Sequence, residues 1–184
     1  PPQNMISVSV PLGGYLKSTQ LLPGMHIAKG EVLAVLEDIQ YIQLQQDYLA
    51  ANAQLGFSEA DFKRQQELNK NKNASDKVFE QANADYKSQK ALVRALAEKL
   101  ALIGIDAASL TDDNISRSIV LRSPINGYVS SVNVNVGKYI NPSDVLFELV
   151  NPDDIHLTLT VFERDLYKLS IGQAVTAYTN GAID

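Results

Sequence analysis

Apolar residues between positions 39 and 103 recur at alternating intervals of three and four, which is the pattern of amphipathic helices. One row holds six apolar residues among eight positions: Tyr41, Leu44, Tyr48, Ala51, Leu55, Ser58, Phe62 and Gln65. A second row holds seven among eight: Phe79, Ala82, Tyr86, Gln89, Val93, Leu96, Leu100 and Ile103. Rows this narrow, with a mean repeat of about 3.5 residues, are typical of the seam of a coiled coil. They predict two long helices, over residues 39–71 and 76–103.

Capping residues and helix breakers mark the ends of these helices. No proline occurs over residues 24–123, so long helices are not interrupted there. The polar, asparagine-rich segment 69–76 suits a tight connection, within which Ser75 is a good N-cap and Asp76 lies in the first turn. Gly104 stands where a C′ glycine ends the second helix. The sequence therefore predicts an antiparallel helical hairpin.

The two segments that flank the hairpin repeat each other at an offset of 113 residues. The run Pro11–Leu16 returns as Pro124–Val129. Nine of the 26 positions from Pro11 to Leu36 are identical to those 113 residues further on. An ungapped match of this quality indicates two copies of one structural unit.

Each copy predicts three short strands separated by two turns. The turns are expected at equivalent glycines, which are Gly14 and Gly24 in the first copy and Gly127 and Gly137 in the second. One copy of roughly 30 residues is too small to bury a core alone, so the two are expected to form one β-sandwich. The predicted fold class is α+β, a split β-sandwich with the helical hairpin inserted between its halves.

A third segment begins after Pro152. Apolar residues alternate with polar ones over residues 155–161, which predicts a half-buried strand. A short helical segment is expected over residues 163–169, and a second strand over residues 174–178. Two strands do not make a stable domain, so this segment is expected to be the start of a further one.

Composition excludes several classes of function. The chain has 184 residues, 45% hydrophobic and 20% charged, as in a folded protein. Its net charge of −5 argues against binding nucleic acid. The absence of cysteine removes thiolate metal sites and cysteine nucleophiles, and two histidines provide little for a catalytic or metal site. No apolar run is long enough to span a bilayer. Because Pro1 is not a translation start, we interpret the chain as a piece of a longer protein.

The arrangement of two half-motifs around a long hairpin resembles the membrane-fusion proteins, the periplasmic adaptors of tripartite efflux pumps. Pro11–Asp38 and Ser123–Val150 are similar to the two halves of that family's biotinyl/lipoyl-like domain, and the run Ser123–Val129 with Gly137 is the most specific part. The segment from Asp154 looks like the entry into the family's β-barrel domain.

The resemblance implies four parts of the chain. Residues 1–38 would be the first half of the lipoyl-like domain, residues 39–118 the hairpin, residues 119–151 the second half, and residues 152–184 a partial β-barrel.

The resemblance also implies the partners and the site. An adaptor of this kind lies in the periplasm, is anchored to the inner membrane by a segment absent here, and carries out no catalytic step. It links an inner-membrane efflux transporter to an outer-membrane channel and associates with copies of itself, six in the assembled pump. Arg64, Leu68 and Ser75 match the family's tip motif in order and spacing, so they are the expected channel contacts. No cofactor or metal ligand is expected.

Three other interpretations compete with this one. A true lipoyl or biotinyl carrier would hold its cofactor on a lysine after Glu37–Asp38, but Ile39 stands there. A plain coiled-coil spacer would not need the 113-residue repeat. An adaptor of an ABC or secretion exporter would share all these features. Overall likeness favours heavy-metal cation efflux of the resistance-nodulation-division class, without any identified ligand.

Two local features have weaker alternatives. Met25 and His26 offer soft ligands, but two neighbours do not complete a metal site. The paired carboxylates of Asp112–Asp113 and Asp153–Asp154 are interpreted as solvated loop charge, because acid–base catalysis needs a shaped pocket.

Overall fold

The computed structural model describes residues 5–71, 75–151, 160–168 and 170–176. Its contacts divide the chain into two units, residues 1–154 and residues 155–184, which are described separately below.

Two long helices form the inserted part of the first unit. Helix α1 spans Ile39–Lys70 and helix α2 spans Asp76–Leu102, so the predicted ends are correct to within one residue. Asp38 caps α1, since its carboxylate accepts the Gln40 N–H at 2.8 Å. At the end of α2, Gly104 adopts the predicted left-handed conformation with φ of 78°. The Ile105 N–H donates to the Leu100 carbonyl at 3.0 Å, which completes a Schellman motif.

The predicted seam is the contact between the two helices. Every one of its sixteen side chains is buried or half-buried. Phe62 of α1 stacks on two rings of α2, with centroid distances of 5.8 Å to Phe79 and 5.3 Å to Tyr86. Near the turn, the Asn69 amide of α1 donates to the Asp76 carboxylate of α2 at 2.8 Å. The helices are therefore antiparallel, as predicted.

Two 3₁₀ helices, Ala107–Ser109 and Asp112–Asn114, follow α2, and the second holds the exposed Asp112 and Asp113 that were expected in a loop. Eight strands form the sandwich of the first unit. They are β1 Met5–Val8, β2 Gly14–Thr19, β3 His26–Ile27, β4 Val32–Glu37, β5 Ser118–Arg122, β6 Gly127–Val132, β7 Tyr139–Ile140 and β8 Phe147–Val150. They make two antiparallel four-stranded sheets, of order β1-β8-β6-β3 and β5-β4-β2-β7. Each sheet takes two strands from each side of the hairpin. The prediction that the two segments form one sandwich is confirmed.

The internal repeat is visible in the strand order. Exchanging each strand for its counterpart in the other copy, β1 with β5, β2 with β6, β3 with β7 and β4 with β8, converts the first sheet into the second. The irregularity between Leu16 and Ser18 in β2 recurs between Val129 and Ser131 in β6, again at an offset of 113. Both sheets contribute to one core, in which the most buried large aliphatic side chains of the strands and their loops are Leu16, Ile27, Leu33, Leu36, Ile140, Leu146 and Leu149.

Two of the four predicted turn glycines have a different role. Gly24 and Gly137 occupy equivalent turns, with φ of 89° and 86°. Gly14 and Gly127, in contrast, are the first residues of β2 and β6, so the prediction of turns there is wrong. They are small because neighbours approach closely: a Cβ on Gly14 would lie 2.6 Å from the Tyr41 hydroxyl, and one on Gly127 would lie 2.3 Å from the Val150 carbonyl oxygen.

The described part of the second unit is short. A 3₁₀ helix spans Glu163–Lys168, within the predicted helical segment, and Lys168 donates to Asp165 at 2.7 Å. Most of the strand predicted over 155–161 lies outside the described residues, as do His156 and Asp153–Asp154. Residues 173–176 are not in a strand. The β-barrel domain stays a prediction.

Candidate functional site

The three residues of the predicted channel contact lie at the tip of the hairpin. Arg64 and Leu68 belong to the last two turns of α1, and Ser75 directly precedes α2. The Arg64 side chain is 63% exposed and forms an ion pair with Asp61 one turn earlier. Leu68 is 37% exposed, a high value for a large aliphatic side chain. An exposed ion pair is worth at most about 1 kcal/mol, so a partner carboxylate can replace Asp61 at little cost.

Ser75 is the N-cap residue of α2, but its side chain does not act as a cap. The backbone is extended, with φ of −75° and ψ of 148°, as an N-cap requires. Its hydroxyl forms no capping hydrogen bond, and the Val78 N–H donates to the Ser75 carbonyl at 3.1 Å. The expectation that the hydroxyl stabilises the helix start is therefore wrong. Loss of this hydroxyl is not expected to cost the roughly 1 kcal/mol of a working cap.

The opposite end of the hairpin is joined to the sandwich by a buried tyrosine. The Tyr41 side chain is fully buried, and its hydroxyl donates to the Gly13 carbonyl at 2.8 Å. Burial raises the pKa of Tyr41 to about 12, so the phenol keeps its proton at physiological pH. Gly14 leaves the space that the phenol occupies. The sequence places Tyr41 in the seam but contains no signal for its contact with the sandwich.

A buried glutamine makes a second connection at this joint. Gln45 is 1% exposed, and its amide nitrogen donates to the Ser116 carbonyl at 2.7 Å. The Ser116 N–H returns a hydrogen bond to the amide oxygen at 3.0 Å. This pair ties α1 to the loop before β5, and all buried side-chain nitrogen and oxygen atoms of the described residues have a partner. Gln45 lies outside the predicted seam, so its role was not foreseen.

A charged cluster surrounds the root of the hairpin. The Glu37 carboxylate, at the end of β4, accepts hydrogen bonds from Lys17 at 2.5 Å and from the Ser118 hydroxyl at 2.9 Å. Arg117 approaches the same oxygen to 3.4 Å. The Lys17 hydrogen bond, then that of Ser118, holds the pKa of Glu37 below its usual value, and the charge of Arg117 adds to this effect. One carboxylate thus links β2, β4 and β5 where α1 leaves the sandwich.

Glu37→Gln is expected to make the sandwich less sensitive to acid. A carboxyl group with a lowered folded-state pKa stabilises the protein above its unfolded pKa, and this contribution is lost as pH falls through the folded-state value. The melting temperature of the wild type should therefore drop below about pH 4.5 more steeply than that of the variant. At pH 7 the variant should melt slightly lower, because an ion pair of partly exposed side chains contributes little. Equal slopes for both proteins between pH 5 and 3 would contradict the linkage.

The described residues offer little for the alternative sites. Ile39, where a carrier lysine would stand, is 79% exposed and cannot form the amide. His26 packs edge-on against Tyr128, with a centroid distance of 5.1 Å. Over the described ranges, no three His, Cys, Asp or Glu side chains are grouped so that they could hold a metal ion. Within the same ranges, neither long helix is apolar enough over 18 residues to cross a membrane.

A split β-sandwich closed around a long helical hairpin is the architecture of membrane-fusion adaptor proteins of efflux systems. Residues 4–151 match the family model described as the CzcB-like barrel-sandwich hybrid domain. The chain belongs to this family, so the resemblance seen in the sequence is confirmed.

Three relatives document the relationship. The cobalt-zinc-cadmium resistance protein CzcB of Cupriavidus metallidurans is 22% identical over 162 residues, which are 88% of this chain and 30% of CzcB. The multidrug resistance protein MdtA of Xenorhabdus bovienii is 26% identical over 165 residues, 85% of this chain and 38% of MdtA. The crystal structure of ZneB from C. metallidurans superposes with a TM-score of 0.57 at 25% identity, covering 94% of this chain and 71% of ZneB. The chain thus spans less than half the length of the two curated relatives.

Proposed function

We propose that this chain is part of a periplasmic adaptor that links an inner-membrane efflux transporter to an outer-membrane channel. The observation that carries the proposal is the exposed Arg64–Leu68 surface at the tip of a hairpin whose other end is anchored in the sandwich. At 1.5 Å per residue, helices of 32 and 27 residues reach roughly 48 and 40 Å. A rod of this length suits a spacer between two membrane complexes better than it suits a binding pocket.

The proposal assigns one role to each part of the chain. Residues 1–38 and 119–151 form the lipoyl-like domain, residues 39–118 form the coiled-coil hairpin, and residues 152–184 begin a β-barrel. Arg64, Leu68 and Ser75 contact the channel, and several copies, six in the assembled pump, stand side by side. The protein is held at the inner membrane in the periplasm and takes no catalytic part.

The exported cargo is proposed to be a heavy-metal cation. Membership of the CzcB-like family, and the cobalt, zinc and cadmium resistance for which the relative CzcB is named, support this assignment. The multidrug resistance for which the relative MdtA is named supports organic cargo as the second candidate. The two are separated by growth of cells that depend on this protein, challenged in parallel with zinc, cobalt or cadmium salts and with organic drugs. Resistance confined to the drugs would contradict metal export, and resistance to neither would contradict the adaptor function.

Arg64→Asp is expected to weaken efflux without unfolding the protein. The side chain is exposed, and exposed ion pairs contribute at most about 1 kcal/mol, so the melting temperature should change by only a few degrees. At the channel contact, charge reversal should lower cross-linking to the channel at least tenfold, since breaking an interfacial charge pair costs about 2 kcal/mol or more. Cross-linking and minimal inhibitory concentration are the measurements.

Lys29→Asp is the matched control for this experiment. Lys29 is an exposed cation on the loop between β3 and β4, far along the chain from the tip. Its reversal should leave channel cross-linking unchanged. Equal cross-linking by the Arg64 variant and the wild type would show that the tip match is coincidental, and a large fall in melting temperature would show that Arg64 is structural.

A further inference from the structure

The seam divides the outer surface of the hairpin into two faces of different chemistry. We call one flank the apolar face; toward the tip it holds Gln54, Phe57, Asp61, Arg64 and Leu68 of α1 and Val78, Gln81, Asp85, Ser88 and Leu92 of α2, and toward the sandwich it holds Asp47 of α1 and Lys99 and Leu102 of α2. We call the other flank the basic face; it holds Glu59 and Lys63 of α1 and Glu80, Lys87, Lys90 and Arg94 of α2. These sets follow from the heptad positions next to the seam, because in an antiparallel pair the same flanks of both helices meet on one side.

Apart from Ile39, the first residue of α1, the exposed large hydrophobic side chains of the described helices occur on one face only. Between residues 40–71 and 75–102 there are five of them: Phe57 at 66% exposure, Leu68 at 37%, Val78 at 47%, Leu92 at 46% and Leu102 at 70%. All five lie on the apolar face. A row of large apolar residues confined to one side of a rod marks a contact surface, since single exposed hydrophobics would be scattered around it.

A recess beside Phe57 gives the apolar face its shape and charge. Its volume is about 180 Å³. The recess forms because two of the seam residues that line it, Ser58 and Ala82, have small side chains. Two carboxylates, those of Asp61 on α1 and Asp85 on α2, line the rim. Asp61 is paired with Arg64 of the same face, whereas Asp85 accepts a neutral donor, the Gln81 amide, at 2.9 Å. The recess is thus large enough for the end of a long side chain, and the Asp85 carboxylate favours a cation there.

The basic face presents long cationic side chains at the same position along the hairpin axis as the recess. Lys63 is 67% exposed and pairs with Glu59 at 2.6 Å. The pKa of Glu59 is lowered, first by the Lys63 hydrogen bond and charge and further by the charge of Lys90, so both cations belong to this side. The Lys90 ammonium lies 5.6 Å from the centre of the Tyr86 ring. Lysine stems are apolar along most of their length, so they can cover exposed hydrophobics while the charged end reaches an acid.

We propose that the apolar face of one copy packs against the basic face of the next copy, head to tail. Lysines of the basic face reach the rim formed by Asp61 and Asp85, and their stems cover Phe57 and Leu92. This contact deepens the proposed adaptor function, because it names the surfaces through which the copies associate. It rests on that function only for the number of copies. A contact between unlike faces leaves a free face at each end, so it continues until a ring closes.

A symmetric contact between two apolar faces is less favourable electrostatically. It would bring the Asp61 and Asp85 carboxylates of two copies together, and like charges across an interface cost binding energy. It would also leave the basic face of each copy without a partner and stop at a dimer. The charge pattern therefore favours the head-to-tail arrangement.

Cysteine cross-linking tests the arrangement, and the natural chain supplies a clean background because it has no cysteine. Phe57→Cys and Lys90→Cys are made separately in the whole chain, and a short bismaleimide is added. A mixture of the two proteins should give a covalent dimer, and a chain that carries both substitutions should give a ladder of multimers. Each single variant alone should stay monomeric. A dimer of the Phe57→Cys protein by itself would overturn the proposal in favour of the symmetric contact, and no product in the mixture would overturn it as well.

Two further controls make the result specific. Ala84→Cys lies at a similar height but on the outer edge of α2, between the faces, so its mixture with Phe57→Cys should give no more product than Phe57→Cys alone. Asp85→Lys should lower the yield of the productive mixture at least tenfold, and adding Lys87→Asp to the partner protein should restore it. Equal yields with and without Asp85→Lys would overturn the role of the acidic rim.

The failure of this inference and that of the adaptor function can be told apart. If the protein confers resistance but the mixture gives no product, the face assignment fails and the function stands. If the faces cross-link as expected but the cells gain no resistance, the assignment stands and the function fails.

Discussion

Gly127→Ala is expected to lower the free energy of unfolding by about 3 kcal/mol, at the upper end of the range for overpacked sites. The new Cβ would lie 2.3 Å from the Val150 carbonyl oxygen and 3.1 Å from its carbon, and both are backbone atoms that cannot rotate away. Relief requires β6 and β8 to move apart at their paired residues Tyr128 and Val150. For a unit of about 150 residues, this corresponds to a fall in melting temperature of roughly 6–12 °C.

Gly56→Ala is the matched control, because the same substitution should have the opposite effect there. Gly56 lies within α1, and nothing stands within 4 Å of the position of its Cβ. Alanine is favoured over glycine in a helix by up to about 1 kcal/mol, so the variant should melt slightly higher than the wild type. Thermal unfolding followed by circular dichroism measures both. A Gly127→Ala protein as stable as the wild type would contradict the close approach of the two strands.

Tyr41→Ala is expected to lower the free energy of unfolding by about 4 kcal/mol, as is typical when a buried aromatic side chain is truncated. The ring is fully buried where α1 leaves the sandwich, so its loss leaves a cavity between the two parts. The hydroxyl contributes separately. Tyr41→Phe keeps the ring but removes the donor to the Gly13 carbonyl, and it should cost about 1–2 kcal/mol. Denaturant unfolding at pH 7 measures both values.

A pH series separates the hydroxyl from general packing. The pKa of Tyr41 is raised from 10.0 to about 12 by burial, so the folded state keeps a proton that the unfolded state loses. Its contribution is complete below pH 10 and is lost as pH rises toward 12. The Tyr41→Phe protein should lose less stability than the wild type over that interval. Identical losses would show that the phenol is not protected as the structure implies.

The helices and the sandwich were predictable because each produces a repeating pattern in the amino-acid sequence. The sixteen seam residues follow a repeat that only a helix pair satisfies, and their burial is as expected. The 113-residue offset relates strands that no local signal connects, and it predicted that both segments share one sandwich. Gly104 was predictable for a similar reason, since a left-handed residue after a helix strongly favours glycine.

The features that were missed depend on contacts between residues distant in sequence. Gln45 looks like a surface glutamine of α1, and its burial follows only from Ser116, 71 residues later. Gly14 and Gly127 resemble turn glycines, although Tyr41 and the Val150 carbonyl explain them. Ser75 is a separate, local case: it has the right residue type and backbone for a cap, but its hydroxyl forms no capping hydrogen bond and the nearby Val78 N–H donates to its carbonyl. Expectations based on the type of a single residue do not include these interactions with other residues.

The exchange of strands between the two copies has a consequence for the order of folding. Strands β1 and β3 pair only with β8 and β6, so the first half of the sandwich stays incomplete until the second has been synthesised. The ends of the hairpin, Glu37 and Ser118, are direct partners across two strands. A helical pair that forms early brings these two residues together. Without it, the connection would be a flexible loop of roughly 80 residues, and closing that loop would cost about 2 kcal/mol more in entropy than closing a short turn. Substitutions that weaken the hairpin should therefore also slow the folding of the sandwich to which it is attached.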